Sequence, residues 1–261
     1  MGYSTLTFQT DGDVAIIALM RPEKRNAISS QMMSDLLGAL DQAEARSRVV
    51  ILTGSGKAFC AGMDLDELRS LAATHSPAKD LEDARRIAKL FYRLYSFPKP
   101  VIAAVNGAAI AGGCGLATLA DITLSVPEAK FGYTEVRIGF VPALVAVFLR
   151  RQVGDKFARE LLLTGKIIDA GEAMRIGLVN EIVANGDVMQ RAREMAETIL
   201  GCSPSSVMQT KKLFYAHDDK ALRAELELAI EANAEIRSTD DFREGLTAFL
   251  EKREPHWSGS S

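Results

Sequence analysis

Between residues 104 and 121 the chain reads AVNGAAIAGGCGLATLAD, a run of mostly small apolar residues with glycine at Gly107, Gly112, Gly113 and Gly115. A stretch so bare of side chains suits a membrane span, a nucleotide-binding turn, or a backbone that something must approach closely. Over residues 101–120 only Asn106 is strongly polar, and the length would cross a bilayer. The apolar residues are mainly Ala and Gly rather than Leu and Phe, however, so a short buried strand, a turn and a helix account for the run better than a span.

The rest of the chain narrows the field. Its 261 residues allow one large domain or two unequal ones. A formal net charge of −3, with Lys and Arg spread out, gives no footprint for nucleic acid. Cys60, Cys114 and Cys202 lie far apart without C-x-x-C spacing, which argues against disulfide scaffolds and zinc ribbons and fits a reducing compartment. The opening MGYSTLTFQTDGD has neither the basic-then-apolar order of a signal peptide nor an Arg-rich transit character. A cytoplasmic location is expected.

Residues 6–20 form two β-rich runs around Asp11-Gly12, a hairpin signal. Ser29 or Ser30 can cap a helix carrying Met33, Leu36, Leu37 and Leu40. RVVILT (48–53), VIAAV (101–105) and DITLSV (121–126) read as buried strands, and 80–95 as a helix ended by Pro98 and Pro100. Residues 157–163, 170–176, 188–200, 204–215 and 221–236 are helical by period, with a junction at GCSP (201–204). The pattern predicts an α/β core followed by a helical C-terminal region, divided as 1–198 and 199–261.

Familiar chemistries are absent from the motifs. GSGKA after Leu52 lacks P-loop spacing, and GCGLAT has Thr118 where a dinucleotide fingerprint needs Gly or Ala, with Asp121 too close to serve as the ribose acid. No G-x-S-x-G elbow occurs. His75, His217 and His256 are isolated, and no cluster has metal-ligand spacing, so no metal is expected. Two loops remain, AFCAGMDL and NGAAIAGGCG, each following a buried strand and opening a helix. Free N–H groups at two helix starts can converge on an oxygen that becomes an anion during reaction. On the residues alone, tight helix packing at Gly112 and Gly113 explains the glycines equally well.

Six segments together resemble the crotonase superfamily, the enoyl-CoA hydratases and isomerases: RPEKRNAIS, KAFCAGMDL, KPVIAAVNGAAIAGGCGLATLADI, AKFGYTEVRIGFVP, LLLTGKIIDAGEAMRIGLVNEIV and FREGLTAFLEKR, in the family's order and spacing. The resemblance implies an α/β spiral of ββα units with a helical C-terminal trimerisation region, assembled as a homotrimer or a dimer of trimers. It implies an acyl-CoA thioester as substrate, with coenzyme A part of that substrate and no further cofactor. Its oxyanion donors would be the backbone N–H groups of Met63 and Gly112, where losing one donor costs about 10²–10³ in rate. Lys24, Arg25 and Ala27 match the segment lining pantetheine and phosphates, and Lys252 a C-terminal lysine within reach of CoA phosphate. Ala61, Asp64, Leu65 and Gly115 complete the implied binding set. Asp66 stands where many relatives carry a lysine.

The family's hydratases use two glutamates. Glu135 matches the second, but the first position is Gly115, which can neither hold a water nor donate a proton. A hydratase working with Glu135 alone, a Δ3,Δ2-enoyl-CoA isomerase, which needs a single carboxylate, and an acyl-CoA-binding relative without activity are all compatible with that change. GGCGLATLADI and EVRIGFVPALVAVFLRR resemble bacterial methylglutaconyl-CoA hydratases of leucine breakdown, a subgroup with glycine at the same place. That substrate's distal carboxylate would seek Arg137 or Arg150.

Overall fold

The structure, a computed structural model, describes residues 2–73, 76–184 and 187–258. The chain opens with the expected hairpin, β1 (Leu6–Asp11) against β2 (Val14–Leu19), closed through Gly12 in the left-handed region. Ser29 then caps α1 (Ser30–Arg46) by accepting the Met32 N–H.

Three turns of one unit follow. β3 (Val49–Gly54), β4 (Ala58–Cys60) and the helices α2 (Leu65–Ala73) and α3 (Pro77–Tyr95) make the first. The second is β5 (Val101–Val105), β6 (Ala108–Ile110) and α4 (Gly112–Thr118), and the third is β7 (Ile122–Ser125), β8 (Lys130–Gly132) and α5 (Ala143–Thr164). The first strand of each unit joins one sheet and the second joins another. The chain therefore winds as a spiral: β3, β5 and β7 are parallel neighbours, and so are β4, β6 and β8.

The larger sheet has the order β1-β2-β3-β5-β7-β10, the smaller β4-β6-β8-β9, with β9 at Ile167–Asp169 and β10 at Glu181–Ile182. VVILT and VIAAV are buried along their whole length, as parallel strands covered on both faces must be. Between β9 and β10 runs α6 (Ala170–Arg175), after which α7 (Val188–Leu200) packs on β3, β5 and β7.

The last helices are α8 (Pro204–Ala216), α9 (Asp219–Glu235) and α10 (Asp240–Glu251). Lys211 of α8, almost fully buried, donates to Asp121 Oδ2 at 2.6 Å and to the Lys99 carbonyl at 2.8 Å, fastening the C-terminal helices to the sheet. Helix α9 lies against α3 and α5. Among the described residues no helix is long and apolar enough to cross a membrane.

Candidate active site

The smaller sheet aims three loops at one place. β4, β6 and β8 run parallel and side by side, so the segments leaving their carboxyl ends are neighbours too. Met63 follows the end of β4, Gly112 the end of β6, and Glu135 the end of β8. All three line one cavity of about 750 Å³, within the range of small-ligand sites.

The two amides are left free by their surroundings. The Ile28 N–H donates to the Gly62 carbonyl at 2.7 Å and the Ile28 carbonyl accepts from the Asp64 N–H at 2.9 Å. Such a parallel bridge bonds the residues flanking Met63 and turns the Met63 N–H to the other side. Gly112 is the first residue of α4, where an amide has no partner within the helix. Among the described residues neither amide donates to a backbone carbonyl.

Gly62 brings the loops together. Its φ of +91° suits glycine, and a Cβ there would stand 3.0 Å from Ala111 Cβ and 3.5 Å from the Gly112 nitrogen. Ala111 itself has φ 50° and ψ −126°, a strained backbone immediately before the Gly112 donor.

The glycines of the bare stretch prove to have different roles. A Cβ on Gly113 would lie 2.2 Å from the Cys60 carbonyl oxygen, so that glycine is demanded by packing. A Cβ on Gly112 would meet nothing closer than Ile28 Cδ1 at 3.6 Å, so packing does not require glycine there and the space over its amide stays open.

Gly115 does not line the cavity. A Cβ there would stand 2.7 Å from Val145 Cγ1 and 3.2 Å from the Phe91 ring, and those two buried apolar side chains form the wall at that point. The implied binding role of Gly115 is corrected accordingly: it makes room for the wall rather than forming it.

Glu135 opens a short 3-10 turn, Glu135–Ile138. Burial pushes its carboxyl from 4.5 up to about 7, and Oε2 has no hydrogen-bond partner. A carboxyl at a cavity that ionises near pH 7 and has one oxygen free of hydrogen bonds can both take and return a proton.

Lys24, Arg25, Ala27, Ala61, Asp64 and Leu65 line the same cavity. Asp64 is buried and locked to Arg21 Nη2 at 2.7 Å. Burial alone would raise its carboxyl, but hydrogen bonds from Arg21 and the Asp66 N–H hold it below the usual range. Its side chain is thus committed to the protein. Lys24 Nζ meets Asp66 Oδ2 at 2.5 Å, an exposed pair, so Asp66 competes for the lysine that would face a phosphate.

Arg25 and Asn26 both have positive φ, and Asn26, fully buried, pins this turn by donating to the carbonyls of Ser55 at 2.9 Å and Ala58 at 2.8 Å. Asn26, Gly62, Phe91 and Val145 escaped the sequence reading. Of these only Asn26, a left-handed-tolerant residue in a tight turn, carried a local signal.

Lys252 is exposed at the C-terminal cap of α10 and does not line the cavity, although Phe249 and Leu250 do. Arg150 is also excluded: it pairs with Glu225 at 2.9 Å and lies off the cavity. Arg137 lines the cavity and has no ion-pair partner among the described residues. His217 and His256 are exposed, and His75 lies outside the described residues. Among the described residues no three His, Cys, Asp or Glu side chains gather as a metal would need.

With this geometry in place, residues 9–260 match the family described as enoyl-CoA hydratase/isomerase. The chain belongs to that family. A Thermus thermophilus protein provisionally named an enoyl-CoA hydratase is 45% identical, covering 94% of this chain and 98% of its own. The 2,3-dehydroadipyl-CoA hydratase of Escherichia coli is 34% identical, covering 94% and 95%. A crystal structure of an enoyl-CoA hydratase/isomerase from Xanthobacter autotrophicus Py2 superposes with a TM-score of 0.88 at 32% identity, covering 97% and 98%. The spiral of ββα units is therefore the crotonase fold, and the chain is an enzyme of the hydratase/isomerase family.

Proposed function

We propose that this enzyme hydrates the double bond of a 2-enoyl-CoA thioester, with Glu135 as its only acid-base group. The observation that carries the reading is the Glu135 carboxyl, with Oε2 buried and without a hydrogen-bond partner, in one cavity with two free amides, while Val145 and Phe91 cover the place of a first glutamate.

The thioester oxygen would rest on the Met63 and Gly112 N–H groups, which stabilise the negative charge as the enolate forms. Ionised Glu135 takes a proton from water as its oxygen bonds to C3. The resulting carboxylic acid returns that proton to C2 as the enolate collapses. Water's OH ends on C3 and its H on C2, and Glu135 finishes as it began. Lys24 and Arg25, which line the cavity, would meet the phosphates of CoA, Lys24 on leaving Asp66.

Two considerations support a substrate with a second carboxyl group, methylglutaconyl-CoA being the candidate. Arg137 is a cation at the cavity without an acidic partner, and a relative at 34% identity is named for a dicarboxylic acyl-CoA.

A Δ3,Δ2-isomerisation, with Glu135 carrying a proton from C2 to C4, is the second reading and is favoured by the same lack of a second carboxylate. Turnover of 2-enoyl-CoA and 3-enoyl-CoA thioesters in heavy-oxygen water separates them. Heavy oxygen in a 3-hydroxyacyl product supports hydration, whereas double-bond migration without oxygen uptake assigns the isomerase and removes the hydratase reading.

A further inference from the structure

The wall of the acyl cavity is largely apolar, with Leu68, Ile87, Phe91, Phe140, Leu144 and Val145 among its members. Arg237 interrupts it. This residue sits in the 3-10 turn Ile236–Ser238 that follows α9, is 2% exposed, and shares the cavity wall with Asn233 one turn earlier.

Its guanidinium is only partly satisfied. Nη2 donates to Asn233 Oδ1 at 3.0 Å and Nε to the Asn233 carbonyl at 3.3 Å. Nη2 also lies 2.8 Å from Asp83 Oδ2, an ion contact without the angle of a hydrogen bond. Nη1 stands 3.8 Å from Asp80 Oδ1 and has no hydrogen-bond partner. Buried donors are seldom left so, because the desolvation of the group is then uncompensated.

The position is also telling. Phe91, which covers Gly115 near the reacting centre, Ile87 and Asp83 follow one another at four-residue steps along one face of α3. Passing along that face from the oxyanion donors leads to Arg237.

We infer that the acyl group this enzyme accepts carries a hydrogen-bond acceptor at the end remote from the thioester, and that the Arg237 guanidinium in the cavity wall receives it. The inference rests on the acyl-CoA reading given above. A terminal carboxylate and a neutral carbonyl share this chemistry, and the test distinguishes them.

Binding of saturated acyl-CoA thioesters, which cannot be hydrated, is measured by calorimetry at several chain lengths with three matched ends: methyl, methyl ketone and carboxylate. At the length that reaches Arg237, an acceptor-ended thioester should bind at least about tenfold tighter than its methyl-ended match. A carboxylate preference assigns an acidic acyl group and a ketone preference a neutral one. Methyl-ended thioesters binding as well at every length would overturn the inference.

The double variant R237M/D83N removes the cation and one of the two carboxylates beside it and should abolish the preference. A preference that persists in the folded variant overturns the role of Arg237. Should that variant not fold, the wild-type comparison still decides whether the pocket prefers an acceptor. Failure of every thioester to bind, CoA included, would overturn the acyl-CoA reading and this inference with it. Binding of saturated thioesters together with no turnover of the matching 2-enoyl-CoA would sink only the reaction.

Discussion

Burying the Glu135 carboxyl suits the chemistry proposed for it and ties the fold's stability to pH. With its carboxyl lifted from 4.5 to about 7, the folded protein holds this proton more tightly than the unfolded chain does. The associated stability is full below about pH 4.5 and is lost as pH rises through about 7. In the hydration proposed above activity runs the opposite way, since Glu135 must be ionised to take a proton from water. The expected kcat/KM profile rises with pH through a single ionisation near 7 and then levels. A flat profile between pH 5.5 and 8.5, taken with a chemistry-limited substrate, would detach Glu135 from the rate. Glu135→Gln should lower kcat by about 10²–10⁴. Its calorimetric affinity for acyl-CoA should stay near wild type, because the two amides and the cavity cations are untouched. The neighbouring glycines offer a paired test. Gly113→Ala puts a Cβ against the Cys60 carbonyl and should cost about 2–4 kcal/mol of stability. Gly112→Ala has space, so its melting temperature should move little, while turnover falls as a methyl group intrudes above the donor amide.

At the level of elements, the site exists because short strands aim loops. The first strand of each unit was legible as an apolar run, and so were the hairpin, the Ser29 cap and most helices. The second strands, β4, β6 and β8, are three residues each, too short for alternation to register, and their sequences read as loop. What they contribute is a shared direction, which comes from pairing between distant segments and leaves no local trace. The first half of α5 was hidden for another reason: φ 75° at Gly154 splits the helix, and only the part after it had a clean period. At the site, the two glycine-bearing loops stood out on the residues alone and Glu135 through the family resemblance, whereas Val145 and Phe91 were seen to cover Gly115 only once packed. Their placement yields a prediction. Gly115→Glu alone should not improve hydration, because its Cβ starts 2.7 Å from a Val145 methyl group. Overpacking of that kind costs about 1–3 kcal/mol. Only G115E combined with Val145→Ala makes room for a second carboxylate, and comparing 3-hydroxyacyl product formation by the two variants tests whether space is what withholds it.

At the scale of the molecule, the C-terminal helices are firmly attached on one side and bare on another. Lys211 and Asp121 tie α8 to the sheet, and α9 closes on α3 and α5, carrying Asn233 and Arg237 into the cavity wall. Meanwhile Leu213 and Phe214 on α8 are 72% and 77% exposed, and Leu228 on α9 is 68% exposed. Several large apolar side chains held in water by ordered helices are costly for a lone chain, and covering them is the gain available to an oligomer. The trimer or dimer of trimers implied by the family resemblance would supply that cover. Light scattering behind size exclusion should therefore give a mass of three or six chains that does not fall on dilution to low micromolar concentration. Leu213→Ser together with Phe214→Ser should shift that mass downward without unfolding the chain, since neither side chain belongs to its core. A wild-type monomer at every concentration would leave these side chains in need of a different explanation. It would also show that the cavity formed by a single chain is the whole site, with Lys252 left outside it.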